Sequence, residues 1–216
     1  MPRYETVIFD LDGTLLDTLG DLCDSTNFAL TEFGYPERSI DEVRAFVGNG
    51  IGKLIERALP RGLMNPDYAK VLDAFKAHYA ENCNNKTCAY EGVLPLLARL
   101  KAENVKLAVV SNKVDSAVKV LCKRYFPKYI QIAIGERQGI SRKPSPDSVF
   151  AAIEMLGAKK ESTVYIGDSE VDVETAKNAG VDLVAVSWGF RDRELLASLG
   201  DFAIADPAEE VLKLLI

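Results

Sequence analysis

A single histidine, His78, and four cysteines with no CxxC spacing leave this chain without the ligands of an ordinary zinc site. A histidine-based catalytic triad is excluded too, unless His78 itself serves. Cys23, Cys83, Cys88 and Cys122 read as reduced structural thiols, the usage of a cytoplasmic protein. No apolar run approaches bilayer-spanning length and the opening MPRYETV lacks a signal-peptide pattern, so a cytoplasmic location with no membrane partner is expected. Positive charge is in deficit: 26 Lys and Arg face 32 Asp and Glu, for a net charge of -6 and a pI near 5.0. That balance weighs against a nucleic-acid partner. An anionic substrate would have to be drawn in by local positive charge, from a metal ion or a lysine. Internal repeats and low-complexity segments are absent. What remains, 216 residues at 48% hydrophobic and 27% charged, suffices for one large core or two smaller ones.

The later half of the chain alternates between apolar strands and helices. KLAVVS (106–111), YIQIAIG (129–135), TVYIGD (163–168), LVAVSW (183–188) and FAIA (202–205) read as strands. Between them lie SPDSVFAAIEMLG (145–157), VDVETAKNAG (171–180) and the closing PAEEVLKLLI, which read as helices. For 145–157 the pattern predicts Ser145 as N-cap, Pro146 at the first helical position and Gly157 past the end. Such alternation implies α/β architecture, a parallel sheet covered by helices on both faces. One interval breaks the rhythm. The first strand, Val7-Ile8-Phe9, ends at Asp10, and the next begins only near Val105, whereas a simple crossover needs about a dozen residues. The interval is helical throughout: one helix spans 17–33 and closes at Gly34 and Pro36. Ser39 and Glu42 form a capping box for a second. Ile51, Leu54, Ile55, Ala58 and Leu59 recur at helical spacing, and Asn65-Pro66 opens a helix running to Asn82. A small helical domain, residues 16–91, is therefore expected as an insertion after the first strand of an α/β domain made of 1–15 and 92–216.

Ligands of an open parallel sheet bind beyond the carboxyl ends of its strands. Those ends deliver Asp10 and Asp12, then Ser111 and Asn112, then Lys143 before Pro144, then Asp168 with Asp172 one helical turn later. Two carboxylates closing an apolar strand repel each other and lose hydration, so folding alone gives no reason for Asp10 and Asp12. Clustered carboxylates with no histidine or cysteine beside them make an all-oxygen site suited to magnesium, which prefers carboxylates plus phosphate oxygens. An EF-hand is excluded, because Gly13 is fourth rather than sixth from Asp10 and a strand, not a helix, precedes it.

DLDGT, SN after a hydrophobic strand, KPSP and GDSEVD, in that order, resemble the four motifs of the haloacid dehalogenase superfamily, and the resemblance covers essentially the whole chain. Within it, DTLGDL, FVGNGIGKLIERAL and SNK are similar to phosphoglycolate phosphatases. The resemblance implies a Rossmann-like core with a helical-bundle cap, acting as a magnesium-dependent phosphatase on a small-molecule phosphate ester, as monomer or homodimer. Asp10 would be the nucleophile that forms an aspartyl-phosphate, and Asp12 the general acid and base. Magnesium would be held by the Asp10 carboxylate, the Asp12 backbone carbonyl and Asp168, with Asp172 as ligand or outer support. Ser111, the Asn112 N–H and Lys143 would hold the phosphoryl group. Gly13 would let the backbone approach it, and Thr14 would orient Asp12 or the loop. Lys113 receives no assignment. Glu170 reads as a helix N-terminal acid, Trp188 as packing near the sheet edge, and His78, Cys83 and Cys88 as structural.

In the insertion, VGNGIG (47–52) holds more glycine than a helix junction needs. It is expected to present backbone N–H groups to substrate, with Arg44, Gly48, Asn49, Gly50 and Lys53 as candidate specificity residues. Rival activities leave traces in the same motifs. A phosphonoacetaldehyde hydrolase would lack Asp12, although Lys53 resembles the cap lysine with which such enzymes form a Schiff base. A phosphomutase of the β-phosphoglucomutase type typically carries a histidine where DTLGDL has none. Pyrophosphatase activity stays open, and so does a non-catalytic magnesium-dependent phospho-acceptor, which would need Asp10 but no Asp12.

Overall fold

The computed structural model describes residues 2–216. In chain order the elements are β1 (Thr6–Phe9), β2 (Leu16–Asp17), α1 (Leu19–Glu32), α2 (Ile40–Phe46), α3 (Ile51–Ala58), α4 (Tyr68–Asn82), β3 (Cys88–Ala89), α5 (Val93–Ala102), β4 (Lys106–Val114) and α6 (Asp115–Tyr125). The series continues with β5 (Ile132–Glu136), α7 (Asp147–Met155), β6 (Thr163–Gly167), α8 (Glu170–Ala179), β7 (Asp182–Val186), α9 (Arg193–Ser198), β8 (Ala203–Ala205) and α10 (Ala208–Leu215). The chain divides into two compact units. One runs up to Leu16 and resumes at Ala89; the other is Asp17–Cys88. Where the chain passes between them, β2 and β3 pair as a two-stranded sheet.

The first unit is an α/β fold. Six parallel strands lie in the order β5-β4-β1-β6-β7-β8. Period-two alternation sorts their side chains. Val7, Phe9, Leu107, Val109, Val164 and Ile166 share one core cluster with Leu97 and Leu100 of α5, Leu121 of α6 and Val211 of α10. Ile8, Ala108, Val110 and Tyr165 share the other with Val149 and Ala152 of α7 and Ala176 and Ala179 of α8. Both faces are therefore covered, which is why the strands read as continuous apolar runs. The chain leaves β1 toward β4 on one side and returns to β6 on the other, so the order reverses at β1. A ligand crevice belongs at the carboxyl end of such a strand.

The second unit is helical. Its α1 buries Leu22, Ala29 and Leu30, its α4 buries Val71, Phe75 and Tyr79, and α3 buries Leu54, Ile55 and Ala58. The Ser39–Glu42 capping box opens α2 as expected. Asp21 on α1 accepts from the backbone N–H groups of Lys86 and Thr87 at 2.9 Å each and from Thr87 Oγ1 at 2.7 Å, tying the end of the unit to its first helix. Among the described residues no helix is long and apolar enough to cross a membrane.

Some local expectations are corrected. The first helix starts at Leu19 rather than 17, because Asp17 closes β2 and its carboxylate accepts from Leu19 N. Ser145 is not the N-cap of α7. Pro146 holds that position and Asp147 begins the helix, while the Ser145 hydroxyl bonds to the Asp147 carboxylate instead of a backbone N–H. Gly157 does follow the helix, at φ 54.

Candidate active site

Asp10 lies one residue past β1, where its N–H donates to Ile166 O on β6 at 2.8 Å. The residue is only 8% exposed. Its Oδ1 accepts from Leu11 N at 2.7 Å and stands 2.9 Å from Lys143 Nζ. Lys143 is likewise buried, its ammonium also 2.8 Å from Asp172 Oδ1 and 3.0 Å from the Tyr165 hydroxyl. Asp168 follows β6. Thr14 Oγ1 donates to its Oδ1 at 3.0 Å and Phe190 N to its Oδ2 at 2.7 Å. Asp172 sits in the first turn of α8, closing a capping box with Ser169. Its Oδ2 accepts from Asp168 N, Ser169 N and Ser169 Oγ, and its Oδ1 from Tyr165 and Lys143.

The neighbouring strand end completes the group. Ser111 and Asn112 are both buried at the end of β4. The Asn112 side chain clasps the Lys143 backbone, Nδ2 donating to Lys143 O at 3.1 Å and Oδ1 accepting from Lys143 N at 2.8 Å. Ser111 Oγ accepts from Lys113 N at 3.2 Å. Lys113, unassigned from sequence, is 7% exposed, and its Nζ lies 2.9 Å from Asp12 Oδ1.

Charge decides what this cluster can do. Asp10 is pushed up to about 7, chiefly by burial, with Lys143 pulling the other way and Asp172 and Asp12 adding to the rise. Asp168 is raised well above the ordinary carboxylate range by burial and then by Asp172 and Asp10. At Lys143 burial opposes the charge, but Asp10 and Asp172 outweigh it and hold the group above its usual value. Asp10, Asp12, Asp168 and Asp172 thus outnumber Lys113 and Lys143 by two charges. Asp10, Asp168 and Asp172 each offer an oxygen within 4.8 Å of the others. A divalent cation taking oxygen ligands fits both the donor set and the missing charge.

Comparison with known proteins decides the lineage. Residues 7–186 match the family model of haloacid dehalogenase-like hydrolases. The chain belongs to that family. It is 32% identical over 206 residues to a phosphoglycolate phosphatase of Aquifex aeolicus, covering 95% of this chain and 94% of the relative. A phosphoglycolate phosphatase of Rhodospirillum rubrum is 36% identical over 214 residues, with 95% and 88% covered. A crystal structure from Lactobacillus delbrueckii subsp. bulgaricus, provisionally named a phosphoglycolate phosphatase, superposes with a TM-score of 0.95 at 36% identity, over 99% of this chain and 98% of that one. A haloacid dehalogenase-like hydrolase with these relatives is an enzyme of phosphate-ester hydrolysis.

Further residues of this member of the family brace the cluster. Thr14, expected to orient Asp12 or the loop, ties the loop after β1 to Asp168 at the end of β6. Gly13 is required by that same contact: its φ is +85°, and a Cβ there would stand 2.3 Å from Asp168 Oδ2. Trp188 packs against the core after β7, beside the edge strand β8, and its Nε1 donates to Thr14 O at 3.0 Å. Glu170 begins α8 as a helix N-terminal acid and is paired with Arg191 at 2.8 and 3.0 Å. Two contributions have no place in the sequence reading. The segment 187–191 supplies the Trp188, Phe190 and Arg191 contacts, and of these residues the sequence reading weighed Trp188 alone, as packing. Tyr165 leaves a signal: a tyrosine in a buried strand needs a partner for its hydroxyl, and here that hydroxyl donates to Asp172.

Among the candidate specificity residues of the helical unit, Asn49 is held by Arg57. Its Nη1 donates to Phe46 O at 2.6 Å and its Nη2 to Asn49 Oδ1 at 2.9 Å. Gly48 and Gly50 adopt φ of 116 and 84, and Gly50 is the N-cap of α3. Lys53 pairs with Glu56 at 2.7 Å, and Arg44 is exposed in the last turn of α2. His78 stacks on Phe28 with ring centroids 4.1 Å apart, and its Nδ1 lies 3.0 Å from Ser25 Oγ. The four cysteines are free thiols.

Proposed function

We propose that this hydrolase is a magnesium-dependent phosphatase for small phosphate monoesters, with 2-phosphoglycolate as a preferred substrate and an aspartyl-phosphate formed on Asp10. The observation that carries the reading is the state of the Asp10 carboxylate. Both of its hydrogen-bonding partners fall on Oδ1, which leaves Oδ2 to attack phosphorus in line with the leaving oxygen. Asp12, the second carboxylate of the same loop, donates a proton to that oxygen and later takes one from the hydrolytic water. Lys143 stays charged against Asp10 and Asp172 and so offsets charge on the transferring group. Ser111 and the Asn112 N–H receive phosphoryl oxygens, and the Asn112 side chain keeps Lys143 in register with them.

The carboxylates of Asp10 and Asp168 and the backbone carbonyl of Asp12 would hold the cation. Asp172, whose oxygens already accept five hydrogen bonds, braces Asp168, Ser169, Tyr165 and Lys143 around it. Bound magnesium would neutralise phosphate charge and relieve repulsion among the acids. The preference for 2-phosphoglycolate rests on the named relatives.

A panel of phosphate esters assayed with magnesium and with EDTA tests the reading. Turnover should vanish in chelator and return with magnesium, and kcat/KM should be higher for 2-phosphoglycolate than for glucose phosphates. Full activity in EDTA would refute the metal site. A clear preference for a hexose phosphate would refute the substrate and leave the aspartyl-phosphate standing.

A further inference from the structure

The cation nearest the proposed acid closes the SNK motif, where the sequence reading assigned it no role. Lys113 stands at the end of β4, and its ammonium is 2.9 Å from Asp12 Oδ1. Its backbone is fixed from two directions. Ser111 Oγ accepts from its N–H, and Gly135 on β5 packs so closely that a Cβ there would stand 2.5 Å from Lys113 O. The side chain is 5% exposed, so the charge is not a solvated surface lysine. A buried ammonium held this firmly beside a carboxylate needs a purpose beyond packing.

Geometry supplies one. To protonate the leaving oxygen, Asp12 must come within about 2.6–3.2 Å of it. In an ester of a 2-hydroxy acid, the carboxylate carbon is only two bonds beyond that oxygen. A carboxylate so placed falls beside the Asp12 side chain and within reach of the ammonium that Asp12 touches. Two cations of the helical unit are less prepared for this work, since Lys53 is drawn to Glu56 and Arg57 to Asn49 and Phe46.

We infer that Lys113 is a specificity-determining residue of the α/β unit, pairing with a carboxylate on the carbon next to the ester oxygen while steadying Asp12. The substrate class is then phosphate esters of small 2-hydroxy acids. This deepens the phosphatase reading above and rests on it.

The experiment compares kcat/KM for 2-phosphoglycolate and for ethyl phosphate, which differ only in the carboxylate, in the wild type, Lys113→Met and Lys113→Arg. The ratio of the two should be high in the wild type, fall about ten- to hundredfold in Lys113→Met, and be largely kept in Lys113→Arg. A high wild-type ratio that survives Lys113→Met, with both esters losing rate equally, overturns this inference alone and reduces Lys113 to a support for Asp12. A wild-type ratio near one takes down the substrate reading together with the inference. If Lys113→Met does not fold, Lys113→Gln, which keeps a donor without the charge, is read by the same ratio.

Discussion

Carboxylates meet opposite fates in the two units of this chain. At the strand ends of the α/β unit, Asp10 is buried and pushed up to about 7. In the helical unit, Asp67 is solvent-facing, and hydrogen bonds from Lys70 and Tyr35 hold it below its ordinary range. Both acids have a lysine close by. The difference is that Asp67 keeps its hydration, whereas Asp10 shares one buried cation with Asp172 and lies near Asp168. An acid with a partner and water is a stabilising feature; an acid crowded among others out of water is a stored demand for a cation. The first arrangement supports a fold, and the second prepares a reaction.

The most severe way to break this contrast is to remove the crowded acid. Asp10→Asn should lower turnover by more than about four orders of magnitude, and Asp12→Asn by roughly two to four, measured on an alkyl phosphate. Because Asp10 is one of the excess buried charges, Asp10→Asn should unfold at a higher urea concentration than the wild type above about pH 7 in chelator. A drop in both activity and that midpoint would mean the carboxylate is stabilising after all.

Next in size is the loss of the buried cation. Lys143→Met leaves Asp10 and Asp172 without their shared partner and should cost about 3–5 kcal/mol in a urea melt. Lys53→Met, which breaks an exposed pair with Glu56, should leave the same midpoint unmoved. Equal shifts for the two lysines would erase the distinction between the units.

pH sharpens the comparison in chelator. The folded Asp10 binds its proton up to about pH 7, while the unfolded chain releases it near 3.8. Its contribution to stability is therefore fully present below about pH 4 and is lost as pH rises toward 7. Asp67 works in the reverse sense: its contribution is present above its unfolded value and is lost as pH falls through the lowered folded one. Urea midpoints of the metal-free protein should accordingly decline between about pH 5 and 7.5, and magnesium should reverse the decline. Calorimetry near pH 6 should record proton release on magnesium binding, with less at about pH 8. A flat profile in chelator would show that Asp10 is already compensated.

Smallest is Tyr165→Phe. Its hydroxyl donates to Asp172 and accepts from Lys143, so its removal should cost about 1–3 kcal/mol and slow turnover by roughly tenfold or less. No change in either quantity would make the hydroxyl incidental.

Local order is readable wherever a single segment decides it. The Ser39–Glu42 box, the glycine after α7 and the apolar strands all follow from residues within one turn or one pleat. Ser145 departs from expectation because its hydroxyl has two acceptable uses, a backbone N–H or the Asp147 carboxylate, and the sequence does not rank them. Thr14 shows the limit at longer range: the sequence left Asp12 and the loop as alternatives, and only the fold brings Asp168, just past β6, beside it.

What the sequence determined by itself is the set of carboxyl-end residues that meet, because apolar strands joined by helices must lie parallel and parallel strands send their ends to one edge. Asp10, Ser111, Lys143 and Asp168 are neighbours by that rule alone. Which atom touches which was left to tertiary structure. Lys113 finds Asp12, Tyr165 finds Asp172, and the 187–191 segment clamps Thr14 and Asp168. Those contacts join residues that no periodicity links. They are chosen where buried charges and hydroxyls, cut off from water, must find partners among whatever the sheet order brings beside them.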